Sequence, residues 1–66
     1  MSSRFTPKEI EILGYLVRGY RNKQIADELH IAERTVKNHL TYIYLKLNVR
    51  NRLQAVIEVE KNQGLR

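Results

Sequence analysis

Asn22 to Leu40 reads N-K-Q-I-A-D-E-L-H-I-A-E-R-T-V-K-N-H-L, and two apolar rhythms run through it. Ile25 and Leu29 stand one helical turn apart with small Ala26 beside them, which predicts a short helix over about Asn22–Leu29. Val36 and Leu40 begin a second rhythm that Ile43 and Leu47 continue at i, i+4, i+7 and i+11. That spacing predicts a longer helix over about Glu33–Leu47. His30 and Ile31 form the turn between them, with Ile31 as the plug beneath it. A short helix, a tight turn and a longer helix with a polar outer face make a helix-turn-helix.

The flanking sequence supplies a helix on each side. In F-T-P-K-E-I, Thr6 reads as N-cap, Pro7 as N1 and Glu9 as N3, a T-x-x-E capping box. Phe5 and Ile10 fall at the two positions of a hydrophobic staple. Ile12, Leu13, Leu16 and Val17 form the inward stripe of this helix, and Gly19 suits its C′ position. Gly14 costs about 1 kcal/mol relative to Ala, so it marks either a close helix contact or nothing. After the third helix, Asn48 can take the left-handed C′ conformation. Asn51 and Gln54 offer an N-x-x-Q capping box for a fourth helix, with Ala55, Val56 and Val59 as its stripe and Gly64 as its end. Leu53 and Ile57 point elsewhere. No strand pattern, repeat or low-complexity tract is present. The expected fold is all-α, four short helices in one domain over 5–66, with 1–4 a tail or linker remnant.

Composition narrows the function. A chain of 66 residues forms one small domain with a marginal core. It has no cysteine, hence no disulfide framework, which suits a reducing cytoplasm. His30 and His39 have no companion ligands at metal spacing, so neither a zinc site nor any cofactor is expected. No apolar run approaches the roughly 18 residues of a membrane helix. The net charge is +5, and its excess is local: residues 31–52 hold five basic groups against one acidic. Localised positive charge suits a polyanion, although a solvated basic face is the commoner fate of such a run.

The outer face of the third helix sharpens that reading. With Val36 and its stripe inward, Arg34, Asn38, Thr41 and Leu45 lie nearly opposite. Lys37 and Tyr42 flank them, while Thr35, His39 and Lys46 lie to one side. Arg34 and Lys37 can pair with guanine O6 and N7, Asn38 with adenine, and Thr41 with a base edge or a thymine methyl. Asn22 and Lys23 open the preceding helix, where free N–H groups and the helix dipole suit a phosphate.

From Phe5 to Leu65 the chain resembles the LuxR-type helix-turn-helix domain, also called GerE- or NarL-type. The matching residues are F-T-P-K-E-x-E-I-L, N-K-Q-I-A-x-x-L-x-I, T-V-K-N-H-L, I-Y-x-K-L-N-V and N-R-L-Q-A-V. The resemblance implies a bacterial transcription regulator module, such as a response-regulator effector domain, acting in the cytoplasm at the nucleoid. It implies a third helix in the major groove of double-stranded DNA and a fourth helix that dimerises. RNA polymerase is a further partner that it admits; no membrane and no small molecule are implied for this domain. By position, base contacts fall on Lys37, Asn38 and Thr41, and phosphate contacts on Asn22, Lys23, Thr35, His39 and Lys46. The dimer surface falls on Leu53, Ile57 and Glu60. A receiver or ligand-binding domain commonly precedes such a module, and an excised effector domain is favoured over a complete small regulator.

Three positions depart from the family pattern. Arg21 and Ala32 stand where a Ser or Thr N-cap is usual. Asn22 can shift to cap the second helix one residue late, leaving Arg21 to add a phosphate contact. Leu45 is apolar where the family tends to be polar, and suits DNA backbone sugars or an absent part of a parent protein.

Plainer roles stand beside these. His39 can pack at the core edge, Thr35 can substitute for the missing cap, and Lys46, Arg50 and Arg52 can be ordinary surface charge. Tyr44 lies toward the core and reads as packing rather than base stacking. An enzyme is disfavoured, since no cysteine, paired carboxylates on a shared apolar face or Gly-rich phosphate loop is present. An interaction module for an acidic protein remains, as does RNA binding, though no GXXG loop supports the latter. The third-helix face with the resemblance favours DNA.

Overall fold

The computed structural model describes residues 4–61. They form α1 (Pro7–Val17), α2 (Asn22–Leu29), α3 (Glu33–Leu47) and α4 (Arg52–Lys61), with no strand among the described residues. The expected end of the fourth helix at Gly64 lies outside them. Helix α3 is the hub: α1, α2 and α4 all pack against it, and α1 also packs on α4.

The stripes read from periodicity meet in one core. Ile12, Leu16, Ile25, Val36 and Ile43 are fully enclosed, with Leu13, Leu40 and Ala55 completing the centre. Val17, at the edge of the α1 stripe, is only half-buried. Val56 and Val59 are half-buried against the core and hold α4 in place, while Leu53 and Ile57 face solvent at 69% and 53% exposure. Phe5 turns into the core, but Ile10 stays 45% exposed, so the staple is carried by its first member.

The start of α1 is closely bonded. Thr6 Oγ1 accepts from the Glu9 N–H at 3.1 Å, and Glu9 Oε1 accepts from the Thr6 N–H at 2.9 Å, closing the capping box. The same Oε1 accepts from Lys46 Nζ at 2.7 Å, which ties α1 to the last turn of α3. Glu9 is the buried charged residue of the described core, at 5% exposure. Burial alone would raise its pKa. The hydrogen bonds from Lys46 and the Thr6 backbone, and the charges of Lys46 and His39, more than offset that and hold it below the ordinary value.

Three helices end by one device. At the close of α1, Gly19 is left-handed (φ 88°), with Gly19 N–H donating to Leu16 at 3.0 Å and Tyr20 N–H to Tyr15 at 3.1 Å. After α2, His30 (φ 57°) takes that place, with Ile31 N–H on Ala26 at 3.0 Å. After α3 it is Asn48 (φ 60°), with Val49 N–H on Tyr44 at 3.0 Å. These are Schellman endings, in which the residue after the left-handed one returns to the helix as an apolar lid. Tyr20, Ile31 and Val49 pack against the core in that role. The α2–α3 turn is therefore set by His30 and sealed by Ile31.

Two cap expectations need correction. Asn22 does not cap α2, because it is already helical and Arg21 is the N-cap residue. A guanidinium has no acceptor, so only the reciprocal half of a box forms, Arg21 N–H to Gln24 Oε1 at 2.8 Å. At α4, Asn51 Oδ1 accepts from Gln54 N–H at 2.9 Å, but Gln54 Oε1 takes the N–H of Arg50 at 2.8 Å rather than that of Asn51. Gly14 marks no close contact, since a Cβ there would meet nothing within 4 Å.

Candidate nucleic-acid interface

The start of α2 and the first half of α3 carry most of the expected contact residues, and several of the polar groups on α3 are unspent among the described residues. Ala32 is the N-cap of α3 and supplies no side-chain bond. Every helix begins with N–H groups that lack an intrahelical partner, and here no cap side chain takes them. Arg34, Lys37 and Asn38 are exposed and have no hydrogen-bond or ion-pair partner among the described residues. Thr41 is exposed too, but its hydroxyl donates to the Lys37 carbonyl at 3.1 Å. Toward a base it therefore offers lone pairs and a methyl rather than a free proton. Tyr42 and Leu45 extend this face at 59% and 71% exposure.

Beside it, Thr35 and His39 are half-buried on the flank of α3. Lys23 is exposed and makes a loose 3.9 Å pair with Asp27, both ends largely in water. Such a pair contributes little and yields readily to a stronger anion.

Lys46, an expected phosphate contact, already has a partner within the protein. Its ammonium is bonded to Glu9 and lies 5.7 Å from the centre of the Phe5 ring, so it serves the interior. Arg52 was not singled out as a site, yet it is the most connected arginine near the interface. One guanidinium nitrogen donates to the Tyr20 carbonyl at 2.8 Å and the other to Asn22 Oδ1 at 3.2 Å. Position 52 is basic and falls within the matched N-R-L-Q-A-V, but neither signal names its partners, which lie 30 and 32 residues away. Arg50 is exposed, as are the expected dimer residues Leu53, Ile57 and Glu60.

The geometry amounts to a convex helix face bearing free cations and an amide, bordered by two helix starts. No described helix is long and apolar enough to cross a membrane.

Comparison with known proteins agrees with this arrangement. Residues 3–59 match the family model GerE, described as bacterial regulatory proteins, luxR family. The transcriptional regulatory protein DegU of Brevibacillus brevis is 47% identical over 57 residues, covering 86% of this chain and 24% of DegU. The chain thus spans about a quarter of that relative's length. Among solved structures, the response regulator ChrA of a heme-sensing two-component system superposes with a TM-score of 0.88 at 42% identity, over 100% of this chain and 32% of ChrA. The transcription factor GerE superposes with a TM-score of 0.85 at 39% identity, over 98% of this chain and 100% of GerE. With four helices in this order and a family match over most of its length, the chain belongs to the luxR family of bacterial regulatory proteins, as a helix-turn-helix DNA-binding domain of that family's transcription regulators.

Proposed function

We propose that this chain recognises a specific double-stranded DNA sequence by laying α3 in the major groove, as the DNA-reading part of a bacterial transcription regulator. The observation that carries this reading is the set Arg34, Lys37 and Asn38: exposed, adjacent on one helix face and with side chains that have no partner among the described residues. A groove about 12 Å wide admits such a helix, and these side chains match the base edges presented there. Asn22, Lys23, Thr35 and His39 border the same face and take the flanking phosphates, which fix register without reading sequence. The names of DegU and ChrA, a transcriptional regulatory protein and a response regulator, support an effector role.

Two copies bind as a dimer across α4. Leu53 and Ile57 are exposed one turn apart, and Glu60 continues their face. Two apolar residues are far short of the roughly 1,000 Å² that a stable interface needs. DNA that holds two copies side by side raises their effective concentration, so a weak contact then suffices. A two-fold protein pair reads an inverted repeat.

Selection of bound sequences from a random duplex pool tests both parts at once. The wild type is expected to return an inverted repeat with defined half-site spacing, and Ile57→Asp to return single half-sites. A pool with no enriched sequence contradicts specific recognition. An inverted repeat retained by a folded Ile57→Asp protein places the two-fold contact elsewhere.

A further inference from the structure

Arg52 stands on the first turn of α4, outside the helix-turn-helix, yet it reaches the start of α2. It is half-buried, and its two terminal nitrogens are committed to the Tyr20 carbonyl at 2.8 Å and to Asn22 Oδ1 at 3.2 Å. A guanidinium only donates, so the atom of the Asn22 side chain that meets it must be the carbonyl oxygen. That fixes the orientation of the amide, whose two faces are otherwise interchangeable. The Asn22 NH2 group is consequently turned away from Arg52 with both protons free. No partner for it exists among the described residues.

Other donors neighbour Asn22 along the chain. Asn22 is the first residue of α2, and Arg21 as N-cap has no acceptor to offer the early backbone N–H groups. Lys23 follows with its ammonium exposed. Tyr20, whose carbonyl is the other anchor of Arg52, is the apolar lid that closes α1 and leads into α2. The clasp therefore holds both the path of the chain into α2 and the direction of its first side chain.

We propose that Arg52 is a positioning residue for DNA binding: it touches no phosphate itself, but aims the Asn22 amide, as a two-proton donor, at a backbone phosphate beside the α2 N-terminus. This rests on the DNA-binding reading above. It gives α4 a second task beyond pairing two copies, since the helix proposed to carry the dimer contact also sets the phosphate clamp.

The distinction between positioning and direct contact is measurable. Losing a cationic phosphate contact lowers the salt slope of log Kobs by about one, whereas losing a neutral amide contact weakens binding without changing counterion release. Binding of one selected duplex is measured by fluorescence anisotropy across a salt series for wild type, Arg52→Gln, Asn22→Ala, the double variant and Lys23→Ala. Arg52→Gln and Asn22→Ala are each expected to weaken binding about five- to tenfold with the wild-type slope, consistent with loss of one hydrogen bond from an uncharged donor. The double variant should bind no more weakly than Asn22→Ala alone, while Lys23→Ala should lose about one unit of slope. A slope lowered by about one in Arg52→Gln, a double loss equal to the product of the single losses, or wild-type affinity in folded Arg52→Gln would overturn the proposal. Should Arg52→Gln fail to fold, side-chain NMR of the wild type decides. The Asn22 NH2 resonances should shift on adding duplex while the Arg52 guanidinium resonances stay in place, and the reverse pattern overturns it. Absence of duplex binding by the wild type would instead sink the DNA reading itself.

Discussion

The starts of α1 and α3 are built on opposite plans. At α1 the capping groups are used inside the molecule: Thr6 and Glu9 cap one another, and the Glu9 carboxylate also holds Lys46. At α3 the N-cap is Ala32, with no side-chain bond, and the cations and amide that follow it are exposed, with no side-chain partner among the described residues. Both helices carry an acidic residue in the first turn, so local charge does not separate them. Burial of that residue does: Glu9 is 5% exposed, whereas Glu33 lies on the surface. Where a charged group is covered, leaving it unpaired costs stability and the sequence supplies partners. Where such groups face outward, water satisfies them until a ligand replaces it, and they remain available for binding.

The largest expected effect follows from the α1 side. Glu9→Ala removes half a capping box and leaves the half-buried Lys46 without its carboxylate, so stability should fall by about 2–3 kcal/mol. Denaturant melts check this, and sequence preference for DNA should survive wherever the variant is folded. The pH dependence has a definite sign. The Glu9 pKa is lower in the folded state than in the unfolded chain, so the unfolded state binds more protons as the medium is acidified. Stability from this group is present above the ordinary glutamate value of about 4.3 and drains away as pH falls through the lower folded value. Acid melts of Glu9→Ala should lack that component.

On the α3 side the expected change is a gain. Ala32→Ser should stabilise the domain by about 1 kcal/mol, because a hydroxyl at the N-cap can accept an N–H that no side chain now takes. An unchanged melting temperature would mean that the first turn of α3 is already satisfied. Smaller still is Gly14→Ala in α1, expected to add about 0.5–1 kcal/mol, since the new methyl meets open space and the helix loses a flexible residue. Thermal melts should show the gain, with DNA affinity untouched.

The same contrast explains what could be read from the chain alone. Helix limits were legible because their signals are local: Thr6-Pro7-x-Glu9 opens α1, and Gly19 and Asn48 end α1 and α3 in left-handed geometry. The outward set Arg34, Lys37, Asn38 and Thr41 followed from helical periodicity, since the opposite stripe is fully apolar. The partners of Lys46 and Arg52 were not legible, for a common reason. Those partners lie 37 and 30 residues away, and periodicity gives the side of a helix from which a long side chain leaves, not the neighbour it reaches. The late cap assigned to Asn22 failed because Gln24 could satisfy the Arg21 N–H without any N-cap acceptor.

The central claim is that the unpartnered face of α3 reads bases while the start of α2 grips the backbone. Its most direct test is the affinity of Lys37→Ala and Lys23→Ala for the selected duplex and for a panel of single-base variants of it. Lys37→Ala should lose about 1–3 kcal/mol on the selected site and cease to discriminate at one or two base positions. Lys23→Ala should weaken every duplex alike. An unaltered base preference in Lys37→Ala, or an altered one in Lys23→Ala, would contradict the account.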